Sequence, residues 1–312
     1  TAGIMAWIHD VEDLEFTLDE LAEVPPPDRV LLADPEHFEV AYAINPHMRD
    51  TAGELRRVDS ARAREQWQAL REACEDLGLA VDVVPPLEGH PDLVFCANQV
   101  LPVPAEATPH GRGAIVPSHM KSSERRGEVP HVVEHLRAAG HRIEPLHTTR
   151  EPLEGMGDGI WHPGRRLLWA GVGSRSSEAA WREIAARYRL PVVGLELVDP
   201  DFYHLDTCVA ARSASTCLWL PQALSHASRK RVEALFEHCL EADEVEGRER
   251  LACNAWSPDG ERVLLQRGAS RTLRRLRAAG FECVELDTDE FLKSGGSVFC
   301  MKLAHWSPRE AG

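Results

Sequence analysis

Apolar residues recur along this 312-residue chain in two alternating rhythms. In one they fall three and four positions apart, the spacing of a helix face, as at Val129, Val132, Val133 and Leu136. In the other they form short runs of the length of a buried strand. The helical spacing predicts helices over 60–77, 129–139, 178–189, 230–240 and 271–279. Gly78, Gly140 and Gly280 follow three of them, at the position where a left-handed stop is expected. A strand is expected after each helix: 79–84, 141–146, 190–198, a weaker one near Glu244, and 281–286. Further strand-like runs lie between these pieces at 29–32, 113–116, 167–170, 216–220 and 262–265. The chain therefore reads as five α/β units of about 50 to 60 residues, a length expected of repeat architectures. Such a series suggests a closed, radially repeated fold, although a doubly wound sheet would show the same alternation. Residues 1–28, with the extended run Val24-Pro25-Pro26-Pro27, read as an N-terminal extension carrying a short acidic helix over 10–21. Residues 29–312 read as a single domain.

Charge narrows the partners. Fifty acidic residues against thirty-five basic ones leave a formal charge of −15. Such a surface repels phosphate backbones, so no nucleic-acid partner is expected. It also weakly attracts small cations. No apolar run approaches the roughly 20 residues that span a bilayer, so no membrane partner is expected. No basic segment followed by an apolar one opens the chain, and a cytoplasmic location is expected. The eight cysteines include no C-x-x-C pair, so a structural zinc is poorly supported. Neither a metal nor another cofactor is expected. Oligomeric state is not readable.

The candidate chemistry lies in short segments ahead of apolar runs. Cys300 ends the run Ser297-Val298-Phe299, just after Gly295-Gly296, where the backbone can approach a ligand closely. Taken alone, any one cysteine is more often a small buried hydrophobe; the paired glycines set Cys300 apart. His204 and Asp206 sit in Tyr203-His204-Leu205-Asp206. If that segment is extended, an imidazole and a carboxylate share one face. Glu154 and Asp158 are separated by Gly155-Met156-Gly157, and could orient a planar cation or form a solvated acidic turn. Asp92 precedes an apolar stretch, Asn98 follows it, and Asn45 closes Tyr42-Ala43-Ile44. Amides at such places most often cap turns. A thiol, an imidazole and several carboxylates are the equipment for attacking the central carbon of a guanidinium group. A metal-dependent hydrolase built on His204, Asp206 and Asp158 is disfavoured, because the spacing matches no H-x-x-x-H type site.

Taken in order, these segments resemble the guanidine-modifying superfamily of arginine deiminase, dimethylargininase, arginine dihydrolase and glycine amidinotransferase. The resemblance runs from about Val30 to Leu303 and includes Glu124-Arg125-Arg126-Gly127-Glu128 and Trp169-Ala170-Gly171 with Arg175. It implies the pentein fold, a five-bladed α/β propeller with pseudo-fivefold symmetry. It implies a cofactor-free hydrolase that cleaves a C–N bond of arginine or an Nω-methylarginine through a covalent thiouronium. Cys300 matches the nucleophile and His204 the proton shuttle. Glu154 and Asp206 match the carboxylates that grip the guanidino group, with Asp92, Asn45 and Asn98 also at the substrate. Arg125 and Arg175 match the arginines that take the substrate carboxylate, with Arg126 as a neighbouring rival to Arg125. Two features depart from the dimethylargininase and deiminase pattern toward arginine dihydrolase: the amide at Asn98, where an acid is usual, and the presence of Asp206. Amidinotransfer to an amine would use the same residues. A non-catalytic binding protein of this fold would not need Cys300, His204 and two carboxylates in register.

Overall fold

The computed structural model describes residues 6–309 apart from Thr149. The elements run in the order β1 (Trp7–Ile8), β2 (Arg29–Ala33), α1 (Ser60–Asp76), β3 (Ala80–Val84), β4 (Val100–Val103), β5 (Ala114–Pro117) and α2 (Glu128–Ala138). Then come α3 (Gly155–Asp158), β6 (Gly159–Trp161), β7 (Leu168–Val172), α4 (Glu178–Tyr188), β8 (Val192–Glu196), β9 (Val209–Ala211), β10 (Thr216–Trp219) and α5 (His226–Leu235). The chain closes with β11 (His238–Glu241), α6 (Glu244–Arg250), β12 (Arg262–Gln266), α7 (Ser270–Ala278), β13 (Glu282–Leu286), α8 (Asp289–Leu292) and β14 (Leu303–His305).

The strands fall into five separate sheets rather than one doubly wound sheet. The most regular units share one plan: a strand, an antiparallel partner, a helix, and a strand returning parallel. β6–β7–α4–β8 and β9–β10–α5–β11 show it in full. Around β4–β5–α2 the returning strand shrinks to a single parallel bridge, Ile115 with Ile143. Around β12–α7–β13 the leading strand shrinks to the bridge Trp256 with Leu264. The unit β2–α1–β3 takes its antiparallel partner from the far end of the chain, because β14 pairs with β2. Most of the described chain thus shares one continuous apolar core between sheets and helices.

Helix α1 shows why these residues fold this way. Asp59 caps it, accepting from the Ala61 and Arg62 amides at 3.1 Å. Ala63, Trp67, Leu70 and Cys74 recur on the buried face. Gly78 ends it at φ +79, a left-handed value that costs glycine nothing.

Several expectations are corrected. Residues 141–146 form no strand beyond the Ile143 bridge: Pro145 removes one ladder donor there. The fourth helix starts at His226, capped by Ser225, and its strand is His238–Glu241; Glu244 opens a helix instead, capped by Asp243. Residues 10–21 form two 3-10 turns, Val11–Asp13 and Leu18–Glu20, each closed by a capping box that satisfies its orphan amides locally. Nor does the start of the chain lie apart. Trp7 and Ile8 add an edge strand parallel to β8, and Ile8 is fully buried. Among the described residues, no helix is long and apolar enough to cross a membrane.

This packing carries an expected outcome. Ile8→Ala should lower unfolding free energy by about 2–4 kcal/mol, the usual range for emptying a buried aliphatic site. Urea denaturation measures it, and a loss under about 0.5 kcal/mol would mean that the first strand is not part of the core.

Candidate active site

In each unit the turn that leads into its first strand contributes to the site. Asn98 precedes β4, Glu154 to Asp158 precede β6, and His204 to Asp206 precede β9. Asn254 stands two residues before the Trp256 bridge, and Cys300 stands in the turn before β14. Successive turns are tied to one another. The Ala97 amide donates to the Cys300 carbonyl (3.2 Å), and the Met156 amide to the Ala97 carbonyl (2.8 Å). The Leu205 amide donates to Asp158 Oδ1 (2.9 Å) and Asn254 Nδ2 to the Asp206 carbonyl (3.1 Å). The Phe299 amide then donates to the Asn254 carbonyl (3.2 Å), which returns the circuit to the Cys300 turn.

Cys300 is buried, with Sγ 3.0 Å from Asp206 Oδ2 and 3.1 Å from Asn254 Nδ2. Asn254 Oδ1 accepts the amides of Ser297 and Cys300, so one side chain holds both the sulfur and the turn that carries it. Burial, then the Asp206 charge, pushes the thiol well above its ordinary range, while the Asn254 donor opposes the shift. Asp206 is likewise pushed up, to about 7, by burial, against the opposing pull of Cys300 and then Lys302.

His204 is held from behind. Its Nε2 lies 2.7 Å from Glu154 Oε2, and its other ring nitrogen makes no hydrogen bond among the described residues. Glu154 also accepts from Arg175 Nη1 (3.2 Å) and the Lys121 amide (3.0 Å). Burial pushes Glu154 upward, but the His204 hydrogen bond and charge, with Arg175, bring it down to about 2. Asp158 is buried and engaged with Ser176 and the Leu205 amide. It shapes the turn and offers no free ligand atom.

Cys300 and His204 line one narrow cavity, of only ≈ 10 Å³, with Asn45, Asp92, Asn98, Arg125, Arg175 and Tyr203. The paired glycines form part of its wall. A Cβ at Gly295, φ +88, would stand 2.6 Å from Tyr203 Oη, and one at Gly296 would stand 2.2 Å from the Phe95 ring. Asn45 braces this wall by donating to the Ser294 carbonyl. Asp92 Oδ2 and Asn98 Nδ2 are buried without a partner, as is Asp206 Oδ1.

The structure brings most of the residues singled out in the sequence together, but places some differently and leaves Arg126 outside. His204 and Asp206 lie at the start of a 3-10 turn, not along an extended strand, so one reaches Glu154 and the other Cys300. Glu154 stands behind His204: its oxygens accept from His204, Arg175 and a backbone amide. Arg125 points to the cavity but is closed in by Glu128, Asn98 and the carbonyls of Asp92 and Phe95. Arg126 turns away to a separate surface groove with Lys121 and Arg150. Arg175 bridges Glu154 and the Ile44 carbonyl, and lies over the Tyr203 ring. Asn254 was missed. Its signal was the repeat itself, since it occupies the same place in its unit as Asn98. Among the described residues no cluster of three metal-ligating side chains occurs.

Comparisons place the chain. It is 39% identical over 88% of its length to an N(G),N(G)-dimethylarginine dimethylaminohydrolase of Mycobacterium tuberculosis, covering 85% of that protein. It is 34% identical over 90% of its length to the bifunctional arginine dihydrolase/ornithine cyclodeaminase ArgZ of Synechocystis, but spans only 38% of that longer protein. The crystal structure of the substrate-bound N-terminal domain of ArgZ, described as an arginine dihydrolase of cyanobacteria, superposes with a TM-score of 0.80 at 32% identity. That match covers 88% of this chain and 97% of that domain, and the α/β fold is therefore shared. Residues 34–306 match the family described as "N,N dimethylarginine dimethylhydrolase, eukaryotic", and the chain belongs to that family.

Proposed function

We propose that this protein is a cysteine-dependent hydrolase that cleaves a C–N bond in the guanidino group of arginine or an Nω-methylarginine. The observation that carries the reading is the Cys300 sulfur held between Asp206 and Asn254, in the cavity that His204 also lines. The five sheets, with β14 completing the first unit, support a further reading as a five-bladed propeller. Its axis would pass through the circuit of turns.

A cationic guanidinium entering the cavity meets Asp92 Oδ2 on the wall and the Asp206 charge beside the sulfur. The unpaired ring nitrogen of His204 takes the thiol proton, and Sγ adds to the central carbon. His204 returns that proton to the leaving ammonia or methylamine as the C–N bond breaks, which leaves a thiouronium on Cys300. His204 then takes a proton from water, the hydroxide adds to the same carbon, and the C–S bond breaks. The departing sulfur regains the proton from His204, the hydroxyl on carbon gives its own proton to the released amine or to solvent, and a neutral ureido product leaves. Glu154 fixes the ring through Nε2 during both transfers. Arg125 holds Asn98 through Oδ1, so the amide presents Nδ2 as a donor toward a carbonyl or ureido oxygen.

Incubation with L-arginine and with Nω-methylated arginines, with mass spectrometry of the products, tests the reading. Citrulline or ornithine, with ammonia or methylamines, is expected; turnover of none of these substrates defeats it. Activity should survive a metal chelator and fall by at least about 10³-fold in Cys300→Ser, where the poorer nucleophile remains in place. Glu154→Gln preserves shape but removes the charge behind His204, and kcat should drop by about 10²–10⁴-fold. A Glu154→Gln enzyme with unchanged kcat would remove Glu154 from the proton-transfer machinery.

A further inference from the structure

Lys302 lies two residues beyond Cys300, and its side chain is sealed inside the protein. The residue has no measurable exposure, and its ammonium has no hydrogen-bond partner. Nζ sits 3.4 Å from the centre of the Phe299 ring and 4.7 Å from that of Trp256. Both rings belong to turns that carry the site, beside Cys300 and Asn254. A buried ammonium without a partner costs several kcal/mol and is normally neutralised or replaced. Two aromatic faces recover only part of that cost. Asp206, which contacts the Cys300 sulfur through Oδ2, is buried as well and has a second oxygen, Oδ1, with no partner.

We propose that Lys302 is a positioning residue of the reaction: its sealed ammonium keeps Asp206 charged beside the Cys300 sulfur, so that an entering guanidinium is drawn to the attacking atom. The inference rests on the proposed function. It also accounts for the two complementary orphans in one buried region.

Burial works against both charges, and the neighbouring groups divide. Burial pushes Lys302 down to about 7, opposed first by Asp206, then by Cys96 and Cys74, while Arg212 adds to the depression. Burial pushes Asp206 up to about 7, and Cys300 and then Lys302 oppose that rise. Tyr203 and Cys208 also sense the Asp206 charge, which disfavours their ionised forms. Burial thus disfavours both charges, and each charge favours the other. The sign is fixed. Without the ammonium the carboxyl rises further, stays protonated to higher pH, and loses its charge at a pH where the intact protein still carries it.

The test uses the full-length Cys300→Ser protein, which binds without turning over. Affinities for L-arginine and for Nω,Nω-dimethyl-L-arginine are measured calorimetrically from pH 6 to 9. Adding Lys302→Met, which keeps most of the apolar stem, should displace the acid limb of binding upward by about one pH unit or more, the size of a neighbouring-charge effect. Near pH 7 affinity should fall about tenfold and recover at pH 9. Lys302→Arg, charged throughout this range, should keep the parent's acid limb. Affinity lowered equally at every pH would reveal a packing role only and overturn the proposal, as would an unchanged profile. An acid limb displaced upward in Lys302→Arg overturns it too, even if the methionine variant fails to fold. A Cys300→Ser parent that binds neither compound at any pH brings down the functional reading itself, and the Lys302 assignment with it.

Discussion

The circuit of hydrogen bonds that joins the five lead-in turns is the constraint on which the site depends. Each link is ordinary, worth about 0.5–1.5 kcal/mol net. Its importance lies in where it acts. Residues 97, 156, 205, 254 and 299 lie in turns that lead toward five different sheets, and no sheet ladder connects them. Only the links between turns fix Cys300 relative to Asp206, and the links through Met156 and Leu205 set Glu154 against His204. Each tie uses a backbone group or an amide side chain whose alternative is an unsatisfied buried polar atom. A shift of one turn therefore strands a donor in the next, and the five move together or not at all.

Around that circuit the protein buries several charged side chains. Arg125 and Glu128 form a sealed pair, with Gln99 Nε2 donating to the same Oε2 that Arg125 Nη2 holds. Arg175, Glu154 and His204 form a chain in which one carboxylate oxygen serves both an arginine and a histidine. Hydrophobic replacements would often be no less stable at such places. What the charges supply is orientation: Arg125 fixes which atom Asn98 turns toward the cavity, and Glu154 fixes which ring nitrogen His204 leaves open. The stability cost is spread over a large shared core, which a chain of this length can bury.

The repeat was legible because it lives in periodicity: helix faces such as Val129–Leu136 and the strands that follow them are set by local burial patterns. The failures are also physical. The stretch 141–146 has strand-like composition, but Pro145 and the lack of a second partner leave it with one bridge. His204 and Asp206 looked like neighbours on a strand; a 3-10 turn sends them to different partners, a choice made by Glu154 and Cys300 from distant parts of the chain. Glu154 was read as a substrate ligand because spacing reveals the residue type and not which side chain will occupy its oxygens. Asn254 carried no local mark, since a lone asparagine before an apolar run usually caps a turn. Only alignment of one repeat on another distinguishes it.

The same electrostatics bear on how far the reaction would proceed. With the site empty, burial and Asp206 keep the Cys300 thiol protonated, so the sulfur is inert until positive charge arrives. A guanidinium brings that charge with it, and the first attack is switched on by its own substrate. A ureido product is neutral and brings none. A second hydrolysis on it therefore needs a donor from the protein to draw electrons toward the ureido oxygen. An acid in place of Asn98 could not donate once ionised, whereas an amide does so at any pH. Here Asn98 Nδ2 is the buried, unpartnered donor, and Arg125 on Oδ1 polarises the amide in the required sense. On the proposed reading, the choice between one round and two rests on that amide and the arginine behind it, while Cys300 and His204 act alike in both.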